Sequence, residues 1–147
     1  MRLILQRVSN ASVSVNEKIV GQIGPGILAL LGIHKEDTPS SIAPLIEKLI
    51  NLRIFQDTAG KMNFSLLDTG GDLLIVSQFT LYADCRSGRR PSFVDAAPPE
   101  KAKVLYEKFV AIAKEKVKTV ETGEFGVYMQ VELINDGPVT MLLNSAF

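Results

Sequence analysis

Few side chains in these 147 residues are of a type that does chemistry, and their spacing narrows the choice further. Ser77 and Thr80 are hydroxyls at the end of the apolar run Leu73–Val76, and strand ends are where sheets with crossover helices place their sites. Neither lies in a Gly-x-Ser-x-Gly elbow, and with His34 as the one histidine a serine–histidine–acid triad is disfavoured. On residue type alone, the plainer reading is favoured: Ser77 as an inward polar residue and Thr80 as a strand-end cap. Cys85 and His34, 51 positions apart, are free to meet in space as thiol and base, but no local signature joins them. Their plain reading is a hydrogen-bonded histidine and an incidental thiol. One cysteine and one histidine match no zinc spacing, so no metal and no other cofactor is expected. Gly21-Gln22-Ile23-Gly24-Pro25-Gly26 carries glycines in a G-x-x-G-x-G spacing, but a strand pattern follows it. A phosphate loop would lead into a helix, so this is a turn.

The elements that must position these residues follow from periodicity. Leu3–Val8 and Ala11–Val15 read as two strands, and Asn16-Glu17-Lys18 turns the chain into a third, Ile19–Ile23. The unbroken apolar run Ile27–Ile33 predicts a strand buried on both faces at the centre of a sheet. Ile42, Leu45, Ile46, Leu49 and Ile50 fall on one helical face, predicting a helix over Ser41–Asn51. Met62–Leu67 reads as irregular, Leu73–Phe79 as a strand, and Thr80–Ala97 as a long loop without periodicity. Pro99 opens a second helix reaching Lys116, with Leu105, Phe109 and Ile112 on its buried face. Lys118–Thr122, Gly126–Ile134 and Val139–Leu143 complete the strands. Asp136-Gly137 between the last two is a strong hairpin signal, and because X–Pro bonds are cis in only about 5–6% of folded cases, Gly137–Pro138 reads as a trans turn. The expected class is α/β: one domain over residues 1–147, with a mixed sheet and two main helices.

Composition limits the function. Sixteen basic residues balance sixteen acidic ones, which argues against gripping a long duplex by its phosphates. Contact with RNA would be local, and Arg86-Ser87-Gly88-Arg89-Arg90 is the candidate segment; as a bare charge pattern it is equally a solvated loop. A single cysteine, no signal-peptide pattern and no apolar run near 20 residues predict a cytoplasmic chain that does not span a membrane.

Several segments together resemble the D-aminoacyl-tRNA deacylase family. They are Arg7-Val8-Ser9, Ala11-Ser12-Val13, Gly24-Pro25-Gly26, Asn51-Leu52-Arg53-Ile54-Phe55, Lys61-Met62-Asn63, Ser77-Gln78-Phe79-Thr80-Leu81, Gly88-Arg89-Arg90-Pro91-Ser92-Phe93, Gly123 with Phe125-Gly126, Met129-Gln130-Val131, and Asn135 to Thr140. The resemblance implies a largely antiparallel, barrel-like sheet and a homodimer that hydrolyses the ester of D-aminoacyl-tRNA and of mischarged glycyl-tRNA. It implies a catalytic segment Ser77, Gln78, Phe79 and Thr80, with either the tRNA 2′-hydroxyl or the Thr80 hydroxyl driving the reaction. It makes Gly137–Pro138 a cis peptide that enters the partner's pocket as a filter against L-amino acids. Arg86, Arg89, Arg90, Phe93, Phe125 and Met129 become the expected contacts of the aminoacyl-tRNA 3′ end. Two alternatives stay open from the residues: a non-catalytic module that binds the RNA end, and a thiol hydrolase using Cys85 and His34.

Overall fold

The computed structural model describes residues 1–145. Its elements run β1 (Arg2–Val15), β2 (Lys18–Ile23), β3 (Gly26–Gly32), α1 (Ile42–Asn51), β4 (Phe55–Gln56), β5 (Met62–Phe64), α2 (Leu66–Thr69), β6 (Asp72–Ser77), α3 (Pro99–Lys116), β7 (Val120–Thr122) and β8 (Gln130–Asn144). Strands β2, β1, β3, β6 and β7 lie side by side in that order, and β8 pairs with β1. The β1 pairings are antiparallel, while β3–β6 and β6–β7 are parallel. The sheet curls until β2 faces β7, so closely that a side chain at Gly21 would strike the Thr122 backbone. This is the expected mixed, barrel-like sheet with two main helices, α1 and α3; α2 is a single turn.

Apolar patterning decides which way each element faces. From β3, β6 and β1, Ile27, Ala29, Leu31, Leu73, Ile75, Leu3 and Leu5 bury one face of the sheet under α1 and α3. The helices answer with Ile42, Leu45, Ile46, Leu49 and Ile50, and with Ala102, Leu105, Tyr106, Phe109 and Ala113. Ile112, expected on the buried face of α3, is only half-buried; the small Ala102 and Ala113 let that helix lie close. Leu28, Leu74 and Val76 point the other way, into a second cluster with Val8, Ala11, Val13 and Ile23. Strand β3 is therefore buried on both sides, as its unbroken apolar run predicts.

Four expectations change. Leu3–Val8 and Ala11–Val15 are one strand: odd residues of β1 face the helices up to Leu5, but Ala11 and Val13 face the second cluster. An irregular register around Val8, beside exposed Ser9 and Asn10, shifts the side-chain alternation by one residue without ending the strand. Of the expected strand Gly126–Ile134, Gly126–Met129 forms a turn, and Gln130–Ile134 and Val139–Leu143 are parts of one strand, β8, with no hairpin between them. Asn135–Pro138 stays in the ladder as an irregularity opposite β1, because β1 is long enough to pair with both halves. Strand β6 stops at Ser77 and a 3-10 turn over Phe79–Tyr82 follows, which takes Gln78 and Phe79 out of the strand. Met62–Leu67 is ordered as β5 and α2, the latter held by a capping box between Ser65 and Asp68. No helix among the described residues is long and apolar enough to cross a membrane.

Candidate active site

At the carboxyl end of β6, between two parallel neighbours, the chain breaks from the sheet into the turn that holds the candidate catalytic segment. The Gln78 N–H remains tied to the Leu31 carbonyl at 2.8 Å, so the turn starts from a fixed point. Within it Leu81 N–H donates to the Gln78 carbonyl and Ala83 N–H to that of Thr80. The amides of Phe79 and Thr80 open the 3-10 turn and have no acceptor among the described residues, as the first donors of a helical turn do not. The Gln78 side-chain amide donates to Thr80 Oγ1 at 2.5 Å, so that hydroxyl oxygen is already engaged by a donor. No basic group among the described residues accepts the Thr80 proton. Ser77 is half-buried at the strand's end, while Phe79 is exposed and its ring meets Phe93 edge-on, centroids 5.0 Å apart.

The arginine segment is a small hairpin whose base is closed by two hydrogen bonds between Asp84 and Ser92. The three arginines are not equivalent. Arg86 is bound back by Asp84, which accepts from its backbone N–H, Nε and Nη2 at 3.0, 2.9 and 2.7 Å. The Arg86 guanidinium and then its backbone N–H hold the Asp84 carboxyl at about 2, well below the usual carboxylate range. Arg89 and Arg90 are exposed and form no ion pair among the described residues.

On the far side of β1, the Asn135–Thr140 segment is braced from within and from below. Asn135 Oδ1 accepts the Val139 N–H at 2.7 Å and its Nδ2 donates to Thr140 Oγ1 at 2.8 Å, bridging the segment's neck. The Gly137–Pro138 peptide is cis, in place of the trans turn that the residues alone predict. Gly137 sits at φ +141°, where a Cβ would fall 2.8 Å from Val139 Cγ2 and 3.1 Å from Arg7 Nη2. Both Gly137 and Pro138 are exposed, above a buried Val139. Arg7, only 5% exposed, lies underneath. It donates Nε to the Asp136 carbonyl at 2.9 Å and Nη1 to the Ile54 carbonyl at 2.6 Å. Arg7 belongs to one of the family-like segments, but sequence reasoning assigns it no role. The available signal is its place in β1: Leu3, Leu5 and Arg7 share one inward parity, which sends a guanidinium under the sheet.

These two elements do not meet within one chain. Arg7 pairs with Ile27 and Ile27 with Leu73, four residues before Ser77, while Gly137–Pro138 lies across β1 on the opposite side. Three strand spacings and four residues of rise put Gly137–Pro138 roughly 20 Å from Ser77 along the sheet. Two open grooves lie beyond these elements, and neither Ser77–Thr80 nor Gly137–Pro138 lines them. One of about 530 Å³ is lined by Arg2, Tyr82, Asp84, Cys85, Arg86 and Asp95. The other, about 540 Å³, is lined by Arg7, Phe55, Thr69, Asp72 and Asp136 among others. The Phe125–Met129 segment follows β7, which runs parallel to β6, and Gly123 N–H donates to the Ile75 carbonyl two residues before Ser77. Tyr106 on α3 donates its buried hydroxyl to the same carbonyl at 2.9 Å and packs its ring against half-buried Phe125. Burial pushes that phenol up to about 12. Met129 closes the segment, its Sδ accepting the Glu124 N–H. The His34 ring meets that of Tyr82 at a tilt of 58°, its Nδ1 accepts the Glu36 N–H, and no hydrogen bond among the described residues joins it to Cys85. No group of three or more His, Cys, Asp or Glu among the described residues is arranged to hold a metal ion.

Comparison with known proteins agrees along the whole length. Residues 4–144 match the model of the family described as D-Tyr-tRNA(Tyr) deacylase. A D-aminoacyl-tRNA deacylase of Thermosipho melanesiensis is 63% identical, the match covering 99% of this chain and 97% of the relative. One from Shouchella clausii is 57% identical, covering 99% of both. A solved structure of a protein named c-Myc DNA Unwinding Element Binding Protein superposes with a TM-score of 0.93 at 40% identity, covering 98% of both chains. Another, described as a probable eukaryotic D-amino acid tRNA deacylase, superposes with a TM-score of 0.86 at 18% identity over 97% of both, a likeness of fold alone.

Proposed function

We propose how the residues of this chain divide the work of an ester hydrolase, from the premise that the chain belongs to the D-Tyr-tRNA(Tyr) deacylase family and is a D-aminoacyl-tRNA deacylase. The observation that carries the proposal is the pair of unbonded amides at Phe79 and Thr80, standing beside no nucleophile–base pair among the described residues. The Phe79 N–H, with that of Thr80, receives the carbonyl oxygen of the D-aminoacyl ester and stabilises it as it becomes an oxyanion. A water adds to the carbonyl carbon, and the bond to the ribose 3′ oxygen breaks. The proton given up by the water reaches that oxygen through the neighbouring 2′-hydroxyl, leaving free D-amino acid and uncharged tRNA. The 2′-hydroxyl is carried in by the substrate at a fixed position, so the protein has only to hold the ester in place. Attack by Thr80 is the weaker reading, since its oxygen is engaged by Gln78 and its proton has no acceptor among the described residues.

Gly137 and Pro138 act in the pocket of a second copy, beside Ser77–Thr80. Their carbonyl oxygens accept the substrate ammonium and form a wall that leaves room for a hydrogen at the α-carbon but not for an L side chain. Glycine, with no side chain, passes the same wall, so mischarged glycyl-tRNA is also hydrolysed. Three features support a homodimer: the distance between the two elements in one chain, the exposure of Gly137 and Pro138, and the position of β8. That strand is 15 residues long, pairs only with β1 among the described residues, and exposes Ile134 and Leu142. The protein works in the cytoplasm on charged tRNA, whose 3′ end meets the arginine hairpin on one side and Phe125 and Met129 on the other.

Incubation with D- and L-tyrosyl-tRNA tests this directly: D-tyrosine is released and L-tyrosine is not. Equal release of both, or release of neither, refutes it. Release of neither together with retention of tRNA on a filter supports the non-catalytic module instead. Binding to a DNA unwinding element, which the name of the 40% identical protein attaches to that protein, finds little support in this chain's zero net charge.

A further inference from the structure

We infer that Phe93 is a positioning residue for the Ser77–Thr80 turn, and that the arginine hairpin sets its place. The inference rests on the proposed deacylase site. Phe93 follows directly on Ser92, whose two hydrogen bonds with Asp84 close the base of the hairpin. On its other side the chain is fixed by Ala96 N–H to the Phe93 carbonyl, Lys35 N–H to the Asp95 carbonyl, and Ala97 N–H to the Ile33 carbonyl. The ring is thus held at both ends and presented edge-to-face to Phe79, the residue whose amide opens the turn, at a 65° interplanar angle. Phe79 is 54% exposed and Phe93 39%, so each ring still shows a face to solvent while covering part of the other.

Arg86 belongs to this frame. Bound on three sides by Asp84, it stiffens the hairpin base, which leaves Arg89 and Arg90 as the cations available for phosphate. The hairpin therefore has two parts: an outer tip that holds RNA and a base that holds Phe79. Phe93 belongs to the base and reads no nucleotide.

Kinetics on two substrates separate the roles: D-tyrosyl-tRNA, and the 3′-O-D-tyrosyl ester of adenosine, which has no phosphate and no second base. Phe93→Ala lowers kcat roughly three- to tenfold on both substrates, the worth of one aromatic pair, with KM unchanged within about twofold. Phe93→Tyr, which keeps the ring contact, restores most of that loss, and Phe93→Leu restores less. The pair Arg89→Ala and Arg90→Ala raises KM for the tRNA by a larger factor than KM for the adenosine ester, which offers no phosphate. A Phe93→Ala enzyme that keeps full kcat on both substrates overturns the inference, as does one impaired only through KM for tRNA, the signature of base stacking. If wild type releases no D-tyrosine from tRNA, the deacylase reading itself has failed, an outcome distinct from either.

Discussion

At Ser77–Thr80 the Phe79 and Thr80 amides are left without partners among the described residues, whereas at Asn135–Thr140 the Asp136 carbonyl and the Val139 amide, on either side of Gly137–Pro138, are taken. The turn keeps two free amides and leans on a solvent-exposed aromatic contact. The braced segment has a buried guanidinium beneath it, a carboxamide across its neck and a buried valine as its floor. Under the proposed division of work, the difference matches what each would have to do. An oxyanion cradle has to offer donors to a substrate that is absent until it binds, so those donors stay unmet in the free protein. A chirality filter has to refuse a methylene-sized group, and refusal requires that the wall not yield. Discrimination by a wall is only as good as its stiffness.

The largest effect should come from breaking that stiffness at Gly137. Gly137→Ala puts a Cβ against Val139 and Arg7 at a backbone angle that L side chains avoid. Single-turnover release of D-tyrosine should fall by about a hundredfold, since displacement of a positioning element by roughly 1 Å costs that much. Near-normal release would mean that the segment gives way without consequence.

A step smaller is Arg7→Lys. An ammonium cannot serve the Ile54 and Asp136 carbonyls together, so urea denaturation should show a loss of about 2–4 kcal/mol. Hydrolysis of L-tyrosyl-tRNA relative to D should rise roughly tenfold as the wall loosens. Lost stability with chirality intact would reduce Arg7 to an ordinary structural residue. On the other half, Thr80→Ala should lower kcat by less than about tenfold, because it removes a hydroxyl but no amide. Abolished turnover with binding intact would make Thr80 the nucleophile.

The smallest effect concerns the hairpin base. Asp84 in the folded chain sits near 2, below its unfolded value, so what it contributes is complete above about pH 4 and fades only as the pH falls towards 2. An NMR titration of the Asp84 carboxyl should therefore have its midpoint near 2, and a midpoint near 4 would show the Arg86 clip open in solution.

The sequence announces some of this plainly and hides the rest for identifiable reasons. Strand β3 and helices α1 and α3 are legible because burial imposes a period on residues close together in the chain. The joining of β1 and of β8 into single long strands is not. It depends on each pairing with the other across more than a hundred residues, and Asp136-Gly137-Pro138 carries a hairpin signal that this pairing overrides. The end of β6 falls two residues earlier than its apolar run suggests, because Phe79 is as apolar as the strand before it although its ring points to solvent. Family resemblance draws attention to Ser77–Thr80 and Asn135–Thr140. It does not reveal that Arg7 holds the second of these, that Asn135 spans it, or that Arg86 is tied to Asp84; the first contact joins residues far apart in the chain, and the other two are local side-chain bonds that no hydrophobic period marks.

Whether the cradle and the wall of one site come from two different chains can be measured by mixing two inactive variants. Phe79→Pro removes the amide that opens the turn and leaves Gly137–Pro138 intact, while Gly137→Ala does the reverse. After co-refolding in equal amounts, half of the dimers are mixed and each has one site with both sound elements. D-tyrosine release should recover to roughly a quarter of the wild-type level, as two-fold symmetry requires. A mixture as inactive as its two components would show that each site is made by one chain, and would contradict the account.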